Sequence, residues 1–212
     1  MPLQLPDLEY SYDSLEPFTD SGTMKIHHMV HHAHYFNNFI KVLEGNRLEN
    51  MEPEAIFANV SNLPNEIRNF GGGFFNHSFY WKILSPSGGG KPAGNLIDSI
   101  VKYFGTFENF KQEFSNEANR VFGSGWTWLI KKTDGELRII STANQDNPLM
   151  NLSKIRGKPI ITIDLWEHAY HSRFHNNRQE YIHSYWNFVN WKQAEWLFES
   201  NNNQISWKDL DT

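Results

Sequence analysis

The chain contains no cysteine. Disulfide bonds and thiolate metal sites are therefore excluded, and a bound metal would be held by histidine, aspartate or glutamate, a donor set that suits a catalytic first-row ion. There is no basic run either. The 19 Lys and Arg against 24 Asp and Glu leave a formal net charge of −5, so nucleic-acid binding has little support. No apolar stretch approaches the length of a membrane span. Residues Met1 to Tyr10 carry prolines and acids around no apolar run, and so read as neither a secretory signal nor a transit peptide. We therefore expect a soluble cytoplasmic protein with no membrane partner. Hydrophobic residues are few, at 39%, but aromatics reach 15%, with 8 Trp, 16 Phe and 8 Tyr. Large rings can build a core, and disorder is not expected for the bulk of the chain. A length of 212 residues suits one compact unit or two small, closely packed domains.

Residues 1–20 hold three prolines and several acids, and read as an extended arm. A long helical pattern then runs from Met24 to about Glu44. Val30, Phe36, Phe39, Ile40 and Leu43 recur at helical spacing, and Gly45-Asn46 ends it. A second helix is expected after Leu63-Pro64, proline being favoured at a helix start, and runs to about Leu84. Gly71, Gly72 and Gly73 inside it cost roughly 1 kcal/mol each relative to alanine. Something close must need the room, either a partner helix or a metal site. The glycine-rich stretch 87–94 is the best domain boundary. Two shorter helices are expected near 93–104 and 106–122. Trp126, Trp128 and Ile130 then alternate, and Lys132-Thr133-Asp134-Gly135 signals a hairpin returning through Leu137 to Thr142. Ile160 to Leu165 is a third strand. Tyr181, Tyr185, Trp186, Phe188, Val189 and Trp196 outline a final amphipathic helix from about Arg178 to Ser200. No internal repeat is found. The order is an all-helical first part and a small mixed second part.

Five of the ten histidines lie between His27 and His34. On a helix His27, His31 and the pair His34/Tyr35 share a stripe, with His28 and His32 on a neighbouring one. A solvated polar face and a metal site are the competing readings. His77 sits among Phe74, Phe75, Phe79, Tyr80 and Trp81, so it needs a partner, which a metal or a plain hydrogen bond supplies. Asp164 lies between Ile163 and Leu165 at a strand end, with His168 four residues on. It is poorly explained as a surface acid, though a turn-capping role stays open. Three neutral imidazoles and one carboxylate suit a borderline transition metal, and leave a trivalent site at +2 and a divalent one at +1. Either state attracts a small anion, which the net negative chain does not do by global charge. A zinc ion with an open position fits the same set.

At this point the motifs resemble a known family. Met24-Lys-Ile-His-His-Met-Val-His-His-Ala-His-Tyr35, Asn76-His-Ser-Phe-Tyr-Trp81, Gly123-Ser-Gly-Trp-Thr-Trp-Leu129 and Asp164-Leu-Trp-Glu-His-Ala-Tyr170 are similar to those of the iron/manganese superoxide dismutases, in order and spacing. Arg178 to Trp191 resembles the family's last helix. The resemblance implies an α+β fold: an N-terminal long helical hairpin domain, 1–90, and a C-terminal α/β domain, 91–212, with a three-stranded antiparallel sheet. It implies His27, His77, Asp164 and His168 as ligands of one metal ion per subunit. The implied reaction converts superoxide anion to oxygen and hydrogen peroxide. It further implies that Tyr35 and His31 line the access channel and relay protons, and that Trp81, Trp126, Trp128 and Trp166 wall the site. Glu167 is expected to reach the partner's His168 in a homodimer or homotetramer.

The family's glutamine that binds metal-bound solvent is matched by Gln145 in Gln145-Asp-Asn-Pro148, the manganese-type placement. Gly73 stands at the iron-type position. That favours manganese, whereas Phe79-Tyr80-Trp81 leans toward the iron-type pattern and keeps iron or dual use open. One position departs from the family: His171 stands where tyrosine is usual. We expect it to contact the partner's His31 across the dimer, with simple tolerance of the change as the other reading. Two rival functions remain: a zinc metallohydrolase with Glu167 as general base, and a metal-binding family member without catalysis.

Overall fold

The computed structural model describes residues 3–200 and 205–210. Asp20 opens the first helix by accepting from Thr23 N, and α1 (Ser21–Ile26) then runs through a π-helical turn (His27–His32) into α2 (Ala33–Leu43). A short helix α3 (Pro53–Phe57) follows. A second π turn (Ile67–Gly71) then leads into α4 (Gly72–Ile83). The two long helices form the expected hairpin, with Phe36 and Phe39 of α2 packed on Phe74 of α4. Every residue of α4 except Lys82 is buried, so this helix has no solvent face and forms the centre of the molecule.

The glycine tract explains itself in the packing. A Cβ on Gly71 would stand 2.7 Å from the Phe39 ring, one on Gly72 2.2 Å from the Gln145 carbonyl oxygen, and one on Gly73 2.3 Å from the Tyr35 ring. Both the partner helix and the neighbourhood of the site use the space.

Helices α5 (Gly94–Phe104) and α6 (Phe107–Arg120) precede β1 (Gly125–Lys131), β2 (Leu137–Ala143) and β3 (Lys158–Asp164). The strands form one antiparallel sheet in the order β2-β1-β3. In its register Trp126 faces Asp164 across the central pair. The hairpin closes through Gly135, at φ 83°, whose left-handed backbone only glycine adopts freely. Among the described residues α7 (Glu167–Phe174), α8 (Arg178–Tyr185) and α9 (Trp191–Glu199) follow, and then a 3-10 turn, Trp207–Asp209.

Three expectations need correction. The arm, whose first two residues lie outside the described set, is folded onto the body. Leu15 and Phe18 are fully buried, and Tyr10 Oη donates to the Trp81 carbonyl at 3.0 Å. The single last helix is two. Val189 pairs with Leu84, Asn190 N donates to the Ile83 carbonyl at 2.7 Å, and the Asn190 side chain starts α9 by accepting from Gln193 N. Val30, read as part of the apolar stripe, is exposed. Among the described residues no helix is long and apolar enough to cross a membrane.

Candidate metal centre

The π turn carries His27 inward, α4 supplies His77 from its buried middle, and β3 ends on Asp164, four residues before His168 on α7. Around Asp164 Oδ2 stand His27 Nε2 at 3.0 Å, His168 Nε2 at 3.2 Å and His77 Nε2 at 3.7 Å. The four ligand-type atoms lie within 4.8 Å of one another. His27, His77 and Asp164 are buried, and His168 is nearly so. The second carboxylate oxygen, Oδ1, accepts from Trp166 N at 2.9 Å, which orients the group.

Protonation states follow from the contacts. His77 Nδ1 lies 2.6 Å from the Gly73 carbonyl, which only accepts, so Nδ1 carries the proton and Nε2 is a bare lone pair. That Nε2 is buried and has no hydrogen-bond partner among the described residues, although a carboxylate oxygen is near. Burial holds His77 neutral by pushing its pKa well below the usual imidazole value, with His27 adding to the effect. Burial, and then His168, push His27 down to about 4 against the pull of Asp164. Burial alone would raise the Asp164 pKa, but His168 and His27 outweigh it and hold the carboxyl below its ordinary range. At neutral pH His27 and His77 are thus neutral imidazoles beside a carboxylate, with the orphaned His77 lone pair pointing into the cluster. A cation is what such a set fits, and three nitrogens with one oxygen suit a borderline first-row metal.

The surroundings are aromatic. Trp81 lies 4.7 Å from His27, Trp126 5.2 Å from His77 and Trp166 5.7 Å from His168, ring centre to ring centre. Tyr35 packs 5.3 Å from His77, and its hydroxyl accepts from Gln145 Nε2 at 3.0 Å. Gln145 Oε1 accepts from Trp126 Nε1 at 3.1 Å and Asn76 Nδ2 at 3.2 Å. The indole N–H only donates, so this fixes which end of the Gln145 amide is oxygen.

Known sequences place this arrangement. Residues 2–85 match the alpha-hairpin domain of iron/manganese superoxide dismutases, and residues 92–196 match the C-terminal domain of the same family. The chain is 44% identical over 205 residues to the Mn/Fe superoxide dismutase 2 of Staphylococcus aureus strains Mu50 and N315, covering 94% of this chain and 99% of each relative. This chain belongs to the iron/manganese superoxide dismutases.

The site residues expected from the sequence fall into four groups. His27, His77, Asp164 and His168 come together as described. Tyr35, Gln145, His31, Trp81, Trp126 and Trp166 surround them, His31 by stacking on His168 with centroids 4.2 Å apart and planes 17° apart. Trp128 stands one ring further back, against Trp126 and Phe79, with its Nε1 donating to Thr142 Oγ1 at 2.9 Å. Glu167 and His171 are exposed on α7 and make no ring contact with the cluster.

The sequence reading missed three residues. Asn76 holds both oxygens of Gln145. Tyr80 lies 5.9 Å from His27 and hydrogen-bonds Tyr181, whose hydroxyl in turn donates to the Asp164 carbonyl at 2.8 Å. His32 is fully buried, with Trp81 Nε1 donating to its Nδ1. The signal for Asn76 and Tyr80 was adjacency to His77. For His32 the spacing alone left a polar stripe as good a reading.

Proposed function

We propose that this protein disproportionates superoxide: two superoxide anions and two protons give one oxygen molecule and one hydrogen peroxide. One superoxide loses an electron, and the other gains it and takes up both protons. His27, His77, Asp164 and His168 would hold one manganese ion per subunit, which supplies the capacity to accept one electron and return it. The observation that carries the reading is the bare, buried His77 Nε2 aimed at a carboxylate between two other imidazoles.

The chain's own residues supply the rest. Trp81, Trp126 and Trp166 cover the cluster and keep bulk water from it, which strengthens its electrostatics. Tyr35 and His31 are half-buried beside the ligands and are suited to passing protons inward. Burial raises the Tyr35 pKa, against the opposing hydrogen bond from Gln145, so the hydroxyl keeps its proton at neutral pH. We place Gln145, with one amide N–H on Tyr35 and a second still to give, as the group that tunes proton affinity at the centre. Glu167 and His171 are exposed on the helix that carries His168, and we assign them to a homodimer contact with the partner's His168 and the partner's His31.

Iron is the second reading for the metal. It is supported by the printed Mn/Fe name of the relatives and by Tyr80 in the Phe79-Tyr80-Trp81 run beside His27. A hydrolytic role for Glu167 is less well supported, because that side chain stands exposed on α7. The test is metal-stripped protein reconstituted separately with manganese, iron and zinc. Superoxide turnover with manganese carries the proposal, turnover with iron alone replaces manganese by iron, and turnover with neither refutes it.

A further inference from the structure

Arg68 grips the Asp146 carboxylate at two points, Nε to Oδ1 at 2.6 Å and Nη2 to Oδ2 at 2.7 Å. The partners come from opposite halves of the chain. Arg68 lies in the π turn that leads into α4, and Asp146 lies one residue past Gln145 in the loop after β2. Each side of this fork is itself anchored. The Asp146 carbonyl accepts from Thr142 Oγ1 at 2.6 Å, Thr142 accepts from the Trp128 indole, and Asp146 N donates to the Ala143 carbonyl at 3.0 Å. These bonds tie the loop to the sheet. From the helical half, Asn76 Nδ2 donates to the Gln145 carbonyl at 3.1 Å, and Gly72 lets the two backbones approach closely.

The fork adds little as a stabilising contact. Its side chains are 37% and 21% exposed, and ion pairs of that kind contribute little to stability. What a two-point guanidinium–carboxylate contact does supply is fixed distance and angle. Here it fixes the seam between helix and sheet beside the residue whose amide donates to Tyr35, which itself packs on His77. Gln145 is held at its tip by Trp126 from the sheet, and by Asn76 and Tyr35 from the helices. A small slide across the seam would change its reach, and the fork is the charged contact beside it that resists the slide.

We propose that Arg68 and Asp146 are positioning residues: their fork sets how far the Gln145 amide reaches toward His27, His77, Asp164 and His168, and so tunes the reduction potential and proton affinity of the bound metal. The inference rests on the superoxide dismutase reading above and names a regulator of that same site. It makes no use of bulk charge. Arg68→Lys keeps the charge and loses the fork, Asp146→Asn keeps the shape and loses the charge, and Asp146→Glu keeps both but adds one methylene.

The experiment uses full-length protein reconstituted with manganese. It reads metal content, melting temperature, reduction midpoint potential, the pH midpoint of the visible spectrum, and turnover. All three variants are expected to bind metal as wild type does and to melt within a few degrees of it. Their midpoint potential shifts, their spectral pH midpoint moves by about half a unit or more, and kcat falls roughly 10-fold, the lower end for loss of a partner outside the ligand sphere. If a variant does not fold, the other two carry the test, and wild-type midpoints in those overturn the proposal. Lower melting temperatures with unchanged potential and pH midpoint also overturn it, because a merely structural role does that. Absence of metal uptake or superoxide turnover in wild type itself refutes the underlying reading, and is separate from any effect of Arg68.

Discussion

The Trp81 indole donates its Nε1–H to Nδ1 of His32 across 3.1 Å, and that one bond fixes the tautomer of a fully buried imidazole. The proton must sit on Nε2, which faces the Phe74 carbonyl at 3.2 Å and Ser78 Oγ at 3.1 Å. A second proton would set an N–H against the indole N–H, and burial already pushes the His32 pKa well below 6.5. The unfolded chain therefore binds a proton near pH 6.5 that the folded chain refuses. Stability from this residue is complete above that pH and is lost as pH falls from 6.5 toward the depressed folded value, at about 1.4 kcal/mol per unit. His32→Gln can accept from Trp81 and donate to Phe74 without titrating. Urea unfolding from pH 7.5 down to pH 5 should show a shallower acid loss in this variant, by about that slope. An unchanged slope would mean that His32 is protonated in the fold.

Glycine-to-alanine substitutions in α4 should separate two kinds of crowding. Alanine gains about 1 kcal/mol of helix propensity at either site. At Gly73 the added carbon would lie 2.3 Å from Tyr35 Cδ1 and 2.4 Å from its Cγ, at the root of a ring that Gln145 and His77 hold in place, and at Gly72 it would lie 2.2 Å from the Gln145 backbone oxygen. Overpacking of this sort costs about 1–3 kcal/mol. We expect both Gly72→Ala and Gly73→Ala to be net destabilising, by up to about 2 kcal/mol, with Gly73→Ala also slower in turnover through Tyr35. Chemical denaturation of the metal-loaded proteins, with activity alongside, reads both. A Gly73→Ala protein as stable as wild type would show that the Tyr35 side chain moves aside as a whole.

The glycine tract shows what was legible in the chain. Three adjacent glycines in a helical pattern signal close neighbours, and so they proved, but nothing in the sequence says that the neighbours are Phe39, Gln145 and Tyr35. Period-2 alternation and Asp134-Gly135 located the sheet, because strand pairing here is local. The break at 186–190 was not legible, because it is made by Val189 pairing with Leu84 across the molecule. The two π turns were hidden for a related reason. A 3.6-residue count assumes an unbroken α-helix, whereas at His27–His32 the ladder widens and brings His27, His28 and His32 all inside. The family resemblance named the four residues of the cluster, and their convergence on one point became visible only in the fold.

Removing metal should cost stability through the residues that would hold it. A ligand that binds only the folded state stabilises it by about 4 kcal/mol when free at a thousand times its Kd. Chelator-treated protein should therefore unfold at lower temperature and recover on adding manganese. His77→Gln removes the lone pair that has no other partner, and should abolish the manganese-dependent gain. A full gain in His77→Gln, followed by calorimetry of unfolding, would place the ion elsewhere.

Arg178 joins three stretches of backbone. Its Nη1 donates to the Val121 carbonyl at 2.5 Å, and its Nη2 donates to those of Gly123 and Leu165 at 2.8 Å and 2.7 Å. Val121 and Gly123 lead into β1, and Leu165 follows Asp164, so one guanidinium aligns the start of the central strand with the end of the strand that carries the carboxylate. Lysine, a single point donor, cannot span the three carbonyls. Hydrogen bonds from a charged donor contribute about 1.5–3 kcal/mol each and are not additive. Arg178→Lys should thus lose about 3 kcal/mol of unfolding free energy, with Arg178→Met losing more because the buried Leu165 carbonyl is left without its donor. The loss should also appear as weaker metal retention, since Asp164 loses its alignment with Trp126. Competition with a metal-binding dye in the folded variants measures that retention, and wild-type retention in a destabilised Arg178→Lys would confine the residue to holding the fold.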